Sequence, residues 1–333
     1  MAVVSIVDNS TGRRRPLSTA HGSATKKLYP GLKFGHFLGP YLHGALDSFS
    51  DVAVSIVDNS DWHQEGDCTM DAPVTRSDDT LVLDKEHIPF KTDDGIGTRA
   101  NLGLLVLRTD QTIEDEFRYT LPACDIALYE ARLYSDVEIT PENLMKMSAV
   151  IPGTVGLLPD VKFDVIGFAC TSGALVIGED KVAARVHEVL LGVQVTNPVT
   201  AARAALKALG VSRIAVLTPY LAKINHSLRA SLMARGMDIP VMGSFNEADD
   251  NVVARITPAS VKQAILEIGA SSECEAVFVS CTSMRVARII EEVEKELKKP
   301  VTSSNHALAW HMLRLGGIGE QIAGKGELFR RSL

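Results

Sequence analysis

The chain has 333 residues, 46% of them hydrophobic and 23% charged, and its 34 basic and 41 acidic side chains leave a net charge of −7. This composition excludes disorder of the whole chain and disfavours nucleic acid as a partner. Five cysteines, an odd and sparse set, do not suit a disulfide-stapled secreted scaffold, and no apolar run resembles a signal peptide or reaches the roughly 18 residues of a membrane helix.

The expected protein is therefore soluble and cytoplasmic, with no membrane partner. Residues 11–27 hold Arg13, Arg14, Arg15, Lys26 and Lys27 and no acid, an import-sequence flavour that Asp8 dilutes, so an organelle is the secondary address. Residues 1–97 are polar, with scattered His and Gly and no alternation of strands and helices, and read as an irregular N-terminal extension. The heptapeptide VSIVDNS occurs there twice, at 4–10 and 54–60, each copy a short strand entering an Asp-Asn turn.

Beyond this extension, short β-branched and Leu-rich runs alternate with helical stretches, the pattern of a parallel sheet covered by helices. Eight strands are predicted, at 102–107, 126–131, 164–169, 193–196, 213–217, 239–245, 276–280 and 301–303. An internal repeat organises them. Leu107 and Leu217 end strands 110 residues apart, and Cys170-Thr171-Ser172 and Cys281-Thr282-Ser283 leave similar strands 111 apart. Val195-Thr196-Asn197 recurs at Val301 through Asn305, each time opening an Ala-rich helix. The expected fold is α/β: two pseudo-symmetric Rossmann-like (flavodoxin-like) halves, 98–208 and 209–333, each a four-stranded parallel sheet, the second ending in a C-terminal helix, with the active site between them.

Ligands of open parallel sheets sit beyond the carboxyl ends of the strands, where both Cys170 and Cys281 fall. A thiol at a helix N-terminus faces unpaired amides and the positive end of the dipole, which favours the thiolate. Two such sulfurs facing one cavity suit proton transfer or addition to carbon with no metal or organic cofactor. Thr171, Ser172, Thr282 and Ser283 would hold a small anionic substrate. Either cysteine alone reads as buried core, but packing does not require the same polar tripeptide twice. Cys68, Cys124 and Cys274 lack this context and read as structural.

Tyr220, after Pro219, can face the cavity with its hydroxyl, and Asn197 and Asn305 at matched helix starts are expected N-caps that could also touch ligand. Asp249, Asp250 and Asn251 read as a solvated acidic turn, with Asn251 kept as a candidate site residue. His306 and His311 read as helix or core residues. No zinc spacing, Gly-Xaa-Gly-Xaa-Xaa-Gly element or Walker lysine motif is present, so neither metal nor nucleotide is expected.

Over residues 97–318 the chain resembles the aspartate/glutamate racemase superfamily, and within it the branch of maleate isomerase, arylmalonate decarboxylase and the ectoine-utilisation protein A. The resemblance rests on the segment from Gly103 to Thr112 (GLLVLRTDQT), Cys170-Thr171-Ser172, Leu217-Thr218-Pro219-Tyr220, Ser280-Cys281-Thr282, and Thr302-Ser303-Ser304-Asn305 before the helix with Trp310. It implies a cofactor-independent homo-oligomeric enzyme in which Cys170 and Cys281 flank a small carboxylate, Tyr220 lies near that carboxylate, and Thr109 and Asp110 contact substrate. In maleate isomerases the first cysteine adds to the double bond and the central bond rotates in the adduct; in racemases both cysteines exchange protons at one carbon. Arylmalonate decarboxylases typically keep only the second cysteine, so Cys170 argues against that activity. Asp110 stands where maleate isomerases usually carry Asn, which counts against a strict maleate substrate and would suit an amino group, as in the ectoine-utilisation branch. The expected function is a two-cysteine isomerase or racemase. The alternatives are a decarboxylase using Cys281 and a non-catalytic carboxylate-binding protein.

Overall fold

In the computed structural model the described residues are 4–7, 14–16, 53–56, 85 and 87–333. The chain divides into two units, Met1–His87 and Ile88–Leu333. In the first, β1 (Val4–Val7), β2 (Arg14–Pro16) and β3 (Ala53–Ile56) make an antiparallel sheet in the order β2-β1-β3. The strand portions of the two heptapeptide copies pair with each other, Ser5 opposite Ser55, so the extension expected to be irregular contains a sheet. The Asp-Asn turns of that repeat and Cys68 lie outside the described residues.

The second unit follows the predicted alternation. Its first half runs β4 (Ala100–Leu107), α1 (Ile113–Thr120), β5 (Ile126–Leu133), α2 (Pro141–Val155), β6 (Val165–Ala169), α3 (Thr171–Ile177), α4 (Glu179–His187), β7 (Gln194–Thr196) and α5 (Pro198–Leu209). Its second half runs β8 (Arg213–Thr218), α6 (Ala222–Met233), β9 (Asp238–Ser244), α7 (Asp250–Val253), α8 (Pro258–Gly269), β10 (Ala276–Val279), α9 (Ile290–Leu297), β11 (Val301–Ser303) and α10 (Ser304–Leu315). All eight expected runs are strands. They form two parallel four-stranded sheets with orders β5-β4-β6-β7 and β9-β8-β10-β11, the same topology twice. β6 and β10 are buried along their whole length, which is why each reads as an uninterrupted apolar run.

In each sheet the connections diverge to opposite sides between the first and third strands, β4 and β6 in one, β8 and β10 in the other. The crevice this opens at the carboxyl ends receives the loops that carry Thr109, Cys170, Tyr220 and Cys281. The C-terminal helix does not cover its own half's sheet. Leu308, Trp310, Met312 and Leu313 of α10 pack on Leu102, Leu104 and Val106 of β4 and Val165 and Ala169 of β6. β6 admits this approach through Gly167, where an added Cβ would lie 2.6 Å from Met312 Sδ. The two halves are thereby laced together through one core.

The helix starts correct one expectation. Asn197 caps α5, accepting from the amides of Val199 and Thr200 at 3.0 and 3.1 Å. The matching cap of α10 is Ser303, which accepts from the His306 amide at 3.1 Å, and not Asn305. Asn305 lies within the helix's first turn, and its Nδ2 donates to the Thr282 carbonyl at 2.7 Å. Among the described residues no helix is long and apolar enough to cross a membrane.

Candidate active site

Cys170 and Cys281 leave corresponding strands and line one narrow cavity. Cys170 is the N-cap of α3, its Sγ accepting from the Gly173 amide at 3.2 Å, with Ser172 Oγ at 3.7 Å. Near the Cys281 sulfur, the Ser283 amide and the Tyr220 hydroxyl favour its ionised form. A hydroxyl bridge joins the two cysteine loops: Ser304 Oγ lies 2.8 Å from Thr171 Oγ1 and accepts from the Cys281 amide at 3.1 Å. Thr109, Thr171, Ser172, Tyr220, Thr282 and Ser283 all reach the cavity wall.

The ionisation of the sulfurs departs from the thiolate expected at a helix N-terminus. Burial pushes the Cys170 thiol up to about 12; the Gly173 amide and Ser172 hydroxyl pull against this, and the charges of Asp250 and Asp110 add to it. Cys281 is raised as well, by burial and then by Asp250, against the Ser283 amide and Tyr220 hydroxyl. Burial, followed by the neighbouring Cys281 and Cys170, holds the Tyr220 hydroxyl well above its ordinary value. At Cys170 desolvation outweighs the dipole because the sulfur is almost wholly buried and α3 has only seven residues. Cys281, expected to open a helix as Cys170 does, opens a turn instead, with α9 beginning only at Ile290, so its buried sulfur faces no helix N-terminus. The resting site thus holds two neutral thiols. Iodoacetamide near neutral pH is expected to modify the exposed Cys124 well before Cys170 or Cys281. Peptide mass spectrometry over time checks this, and equal rates at all three would contradict it.

Three other expectations change. Asp110 is buried and off the cavity wall; its Oδ1 accepts from the amides of Thr112 and Ile113 at 2.8 and 3.0 Å, holding the start of α1. Its Oδ2 has no partner among the described residues, and burial pushes its carboxyl up. Asp250 is no surface residue: it is 4% exposed, lines the cavity, and accepts from Thr109 Oγ1 at 2.6 Å. A single antiparallel bridge between Glu138 and Asp249 draws the chain after β9 against the chain after β5 and turns Asp250 inward. Asn251 points elsewhere, accepting from Gln111 Nε2 at 2.8 Å, and Asn305, engaged with Thr282, is also absent from the wall.

His306 and His311 are buried, the first between Thr302 Oγ1 and the Lys325 carbonyl, the second against Thr196 Oγ1, and burial lowers both to about 4. They are neutral core groups. Among the described residues no three His, Cys, Asp or Glu side chains gather as a metal-ligand set. Sequence reasoning missed Asp250 and the Ser135, Asp136, Glu138 and Met147 contributions to the wall. The one signal available was the repeat: the segment after β9 corresponds to the segment after β5, so both belong at the same mouth. The wall carries three acids, Asp136, Glu138 and Asp250, and no Lys, Arg or His.

The chain is similar to known proteins. The arylmalonate decarboxylase family model matches residues 150–329, more than half of the chain and both cysteine loops. A maleate isomerase of Nocardia farcinica is 28% identical over 69% of this chain and 95% of its own. The arylmalonate decarboxylase of Bordetella bronchiseptica is 32% identical over 42% of this chain and 60% of its own. Among solved structures, a Cys-to-Ser mutant of the Nocardia farcinica maleate cis–trans isomerase, carrying a covalently bound succinylcysteine intermediate, superposes with a TM-score of 0.64 at 26% identity, covering 69% of this chain and 98% of that one. Two sheets of one topology, a cysteine at the same strand end of each, and a family model that spans both cysteines lead to one assignment: the chain belongs to the arylmalonate decarboxylase family, in the branch of the aspartate/glutamate racemase superfamily that also holds the maleate isomerases.

Proposed function

We propose that this chain is a cysteine-dependent enzyme that racemises or isomerises a small carboxylic acid without a cofactor. The observation that carries the reading is the pair of cysteines on one cavity wall, each at the end of the third strand of its sheet. Thr171, Ser172, Thr282, Ser283 and the Tyr220 hydroxyl supply the donors for a carboxylate and for the enolate-like charge that builds on it.

Chemistry begins when one resting thiol gives up its proton to solvent as substrate binds. In a racemisation that thiolate removes the α-proton, the electron pair passes into the carboxylate as an enediolate, and the opposing thiol returns a proton to the other face. The sulfurs have then exchanged roles, and the next turnover runs in reverse. In a cis–trans isomerisation the Cys170 thiolate adds to one alkene carbon while the Cys281 thiol protonates the other, the now single carbon–carbon bond rotates in the adduct, and return of that proton to Cys281 with elimination of the Cys170 thiolate gives the trans product. The succinylcysteine in the Nocardia farcinica relative supports addition as chemistry this type of site can perform.

Incubation in heavy water with amino acids and unsaturated diacids, followed by NMR, tests the reading. Deuterium at an α carbon that requires both Cys170 and Cys281 is the expected result for racemisation; fumarate from maleate identifies addition and rotation. Carbon dioxide release from an arylmalonate that needs Cys281 and survives Cys170→Ala would replace the reading with decarboxylation.

A further inference from the structure

We propose that Ser304 is a positioning residue of the cavity: by donating to Thr171 it turns the Thr171 hydroxyl proton toward the ligand and makes that hydroxyl a donor to a carboxylate. This deepens the function proposed above and rests on its reading of Thr171 as a substrate contact.

The direction of the hydrogen bonds follows from the protons available. A hydroxyl has one proton to give and two lone pairs with which to receive. Ser304 is wholly buried at the start of α10, and among the described residues its Oγ has two hydrogen-bond neighbours, the Cys281 amide at 3.1 Å and Thr171 Oγ1 at 2.8 Å. The amide can only donate, so Ser304 accepts from it. Thr171 Oγ1 is then the acceptor left for the Ser304 proton, and the reverse direction would strand that proton in the interior. Ser304 therefore donates and Thr171 receives. The Thr171 proton in turn has no acceptor among the described residues, and Thr171 stands on the cavity wall.

Thr109, on the same wall, is the opposite case. Its Oγ1 gives its proton to Asp250 at 2.6 Å, so toward Ser135 Oγ at 3.2 Å, and toward a ligand, it can only accept. Both threonines reach the wall, but one is already committed as a donor and the other is held ready. A ready donor matters because a ligand carboxylate brings acceptors only, and a hydroxyl whose rotation is already fixed loses little freedom in meeting them. The chain from the Cys281 amide through Ser304 to Thr171 also crosses from one half of the repeat to the other, each bond polarising the next. It ties the strength of the Thr171 donor to the seating of the Cys281 loop.

Calorimetric titration of the full chain with succinate and with butyrate tests this as a double-mutant cycle. Ser304→Ala and the isosteric Thr171→Val are each expected to weaken binding about tenfold, the size of one hydrogen bond to a charged group. Adding Ser304→Ala to Thr171→Val is expected to change affinity by less than about twofold, because the proton that Ser304 orients is already gone. A role confined to holding the Cys281 amide predicts otherwise: that amide loses its acceptor in either background, and the two losses multiply. If Ser304→Ala does not fold, Ser304→Cys takes its place. Its sulfur still accepts from the amide but donates weakly, so a loss of about threefold that vanishes in Thr171→Val is expected. Multiplying losses, a Ser304 variant that binds as the wild type does, or absence of binding by both acids would each overturn the proposal. Binding is read apart from turnover. Losses that merge at Thr171, with exchange that ignores both cysteines, would sink the proposed function and leave this assignment; cysteine-dependent exchange with multiplying losses would do the reverse.

Discussion

Replacing Cys281 by alanine is expected to lower turnover by about 10³-fold, and replacing Cys170 by alanine to do the same, with the fold intact in both. Each sulfur stands at the end of the third strand of its own sheet, so neither duplicates the other, and a reaction that needs attack from one side and protonation from the other stops when either is missing. The structural cost of each change is small by comparison. Cys170→Ala removes the acceptor for the Gly173 amide, an N-cap contact worth about 1 kcal/mol, and Cys170→Ser restores it without restoring a usable nucleophile. Steady-state rates beside circular dichroism melts separate the two effects. If Cys170→Ala keeps most of its activity while Cys281→Ala loses it, the chemistry runs on one sulfur and the two-sided mechanism fails.

What could be read before the structure was the part governed by local pattern and by repetition. The strands were legible because those of a buried parallel sheet lose the polar alternation of an exposed face, as in β6 and β10. The cysteines were legible because one polar tripeptide leaves two equivalent strands. Asp250 was not, since an Asp-Asp-Asn turn resembles solvated surface until the distant Glu138 pairs with Asp249 and carries it inward. The thiols were misread for a related reason. A helix N-terminus, such as the one at Cys170, can be recognised locally, whereas the burial that dominates both sulfurs is set by packing among segments far apart in the sequence. Asn305 was misassigned because matching the two Asn residues gives an offset of 108, while the capping positions Asn197 and Ser303 lie at the 106 of the Val-Thr pair.

Glu116 offers a test of how the halves are joined, and its sign can be worked out in advance. It lies on α1 at 4% exposure, and its carboxylate receives the amides of Val286 and Ala287 at 3.0 Å, in the segment that follows Cys281. Burial nevertheless raises its pKa from 4.5 to about 7, against the pull of those amides. The Asn305 side chain pulls in the same direction as the amides, and burial outweighs all of them. The folded state therefore holds this proton to higher pH than the unfolded chain does. Stability from this group is complete below the unfolded value and is lost as pH rises through the folded one, an effect of about 3 kcal/mol across that window. Glu116→Gln stays neutral throughout and removes this slope, so relative to wild type it is expected to gain stability between about pH 5 and about pH 8. Glu116→Ala leaves two buried amides without their acceptor and is expected to cost about 2–4 kcal/mol below pH 5. Urea midpoints at both pH values measure the two effects. A Gln variant whose difference from wild type does not change with pH would show that the carboxylate is ionised in the fold, and that the paired amides, rather than burial, set its charge.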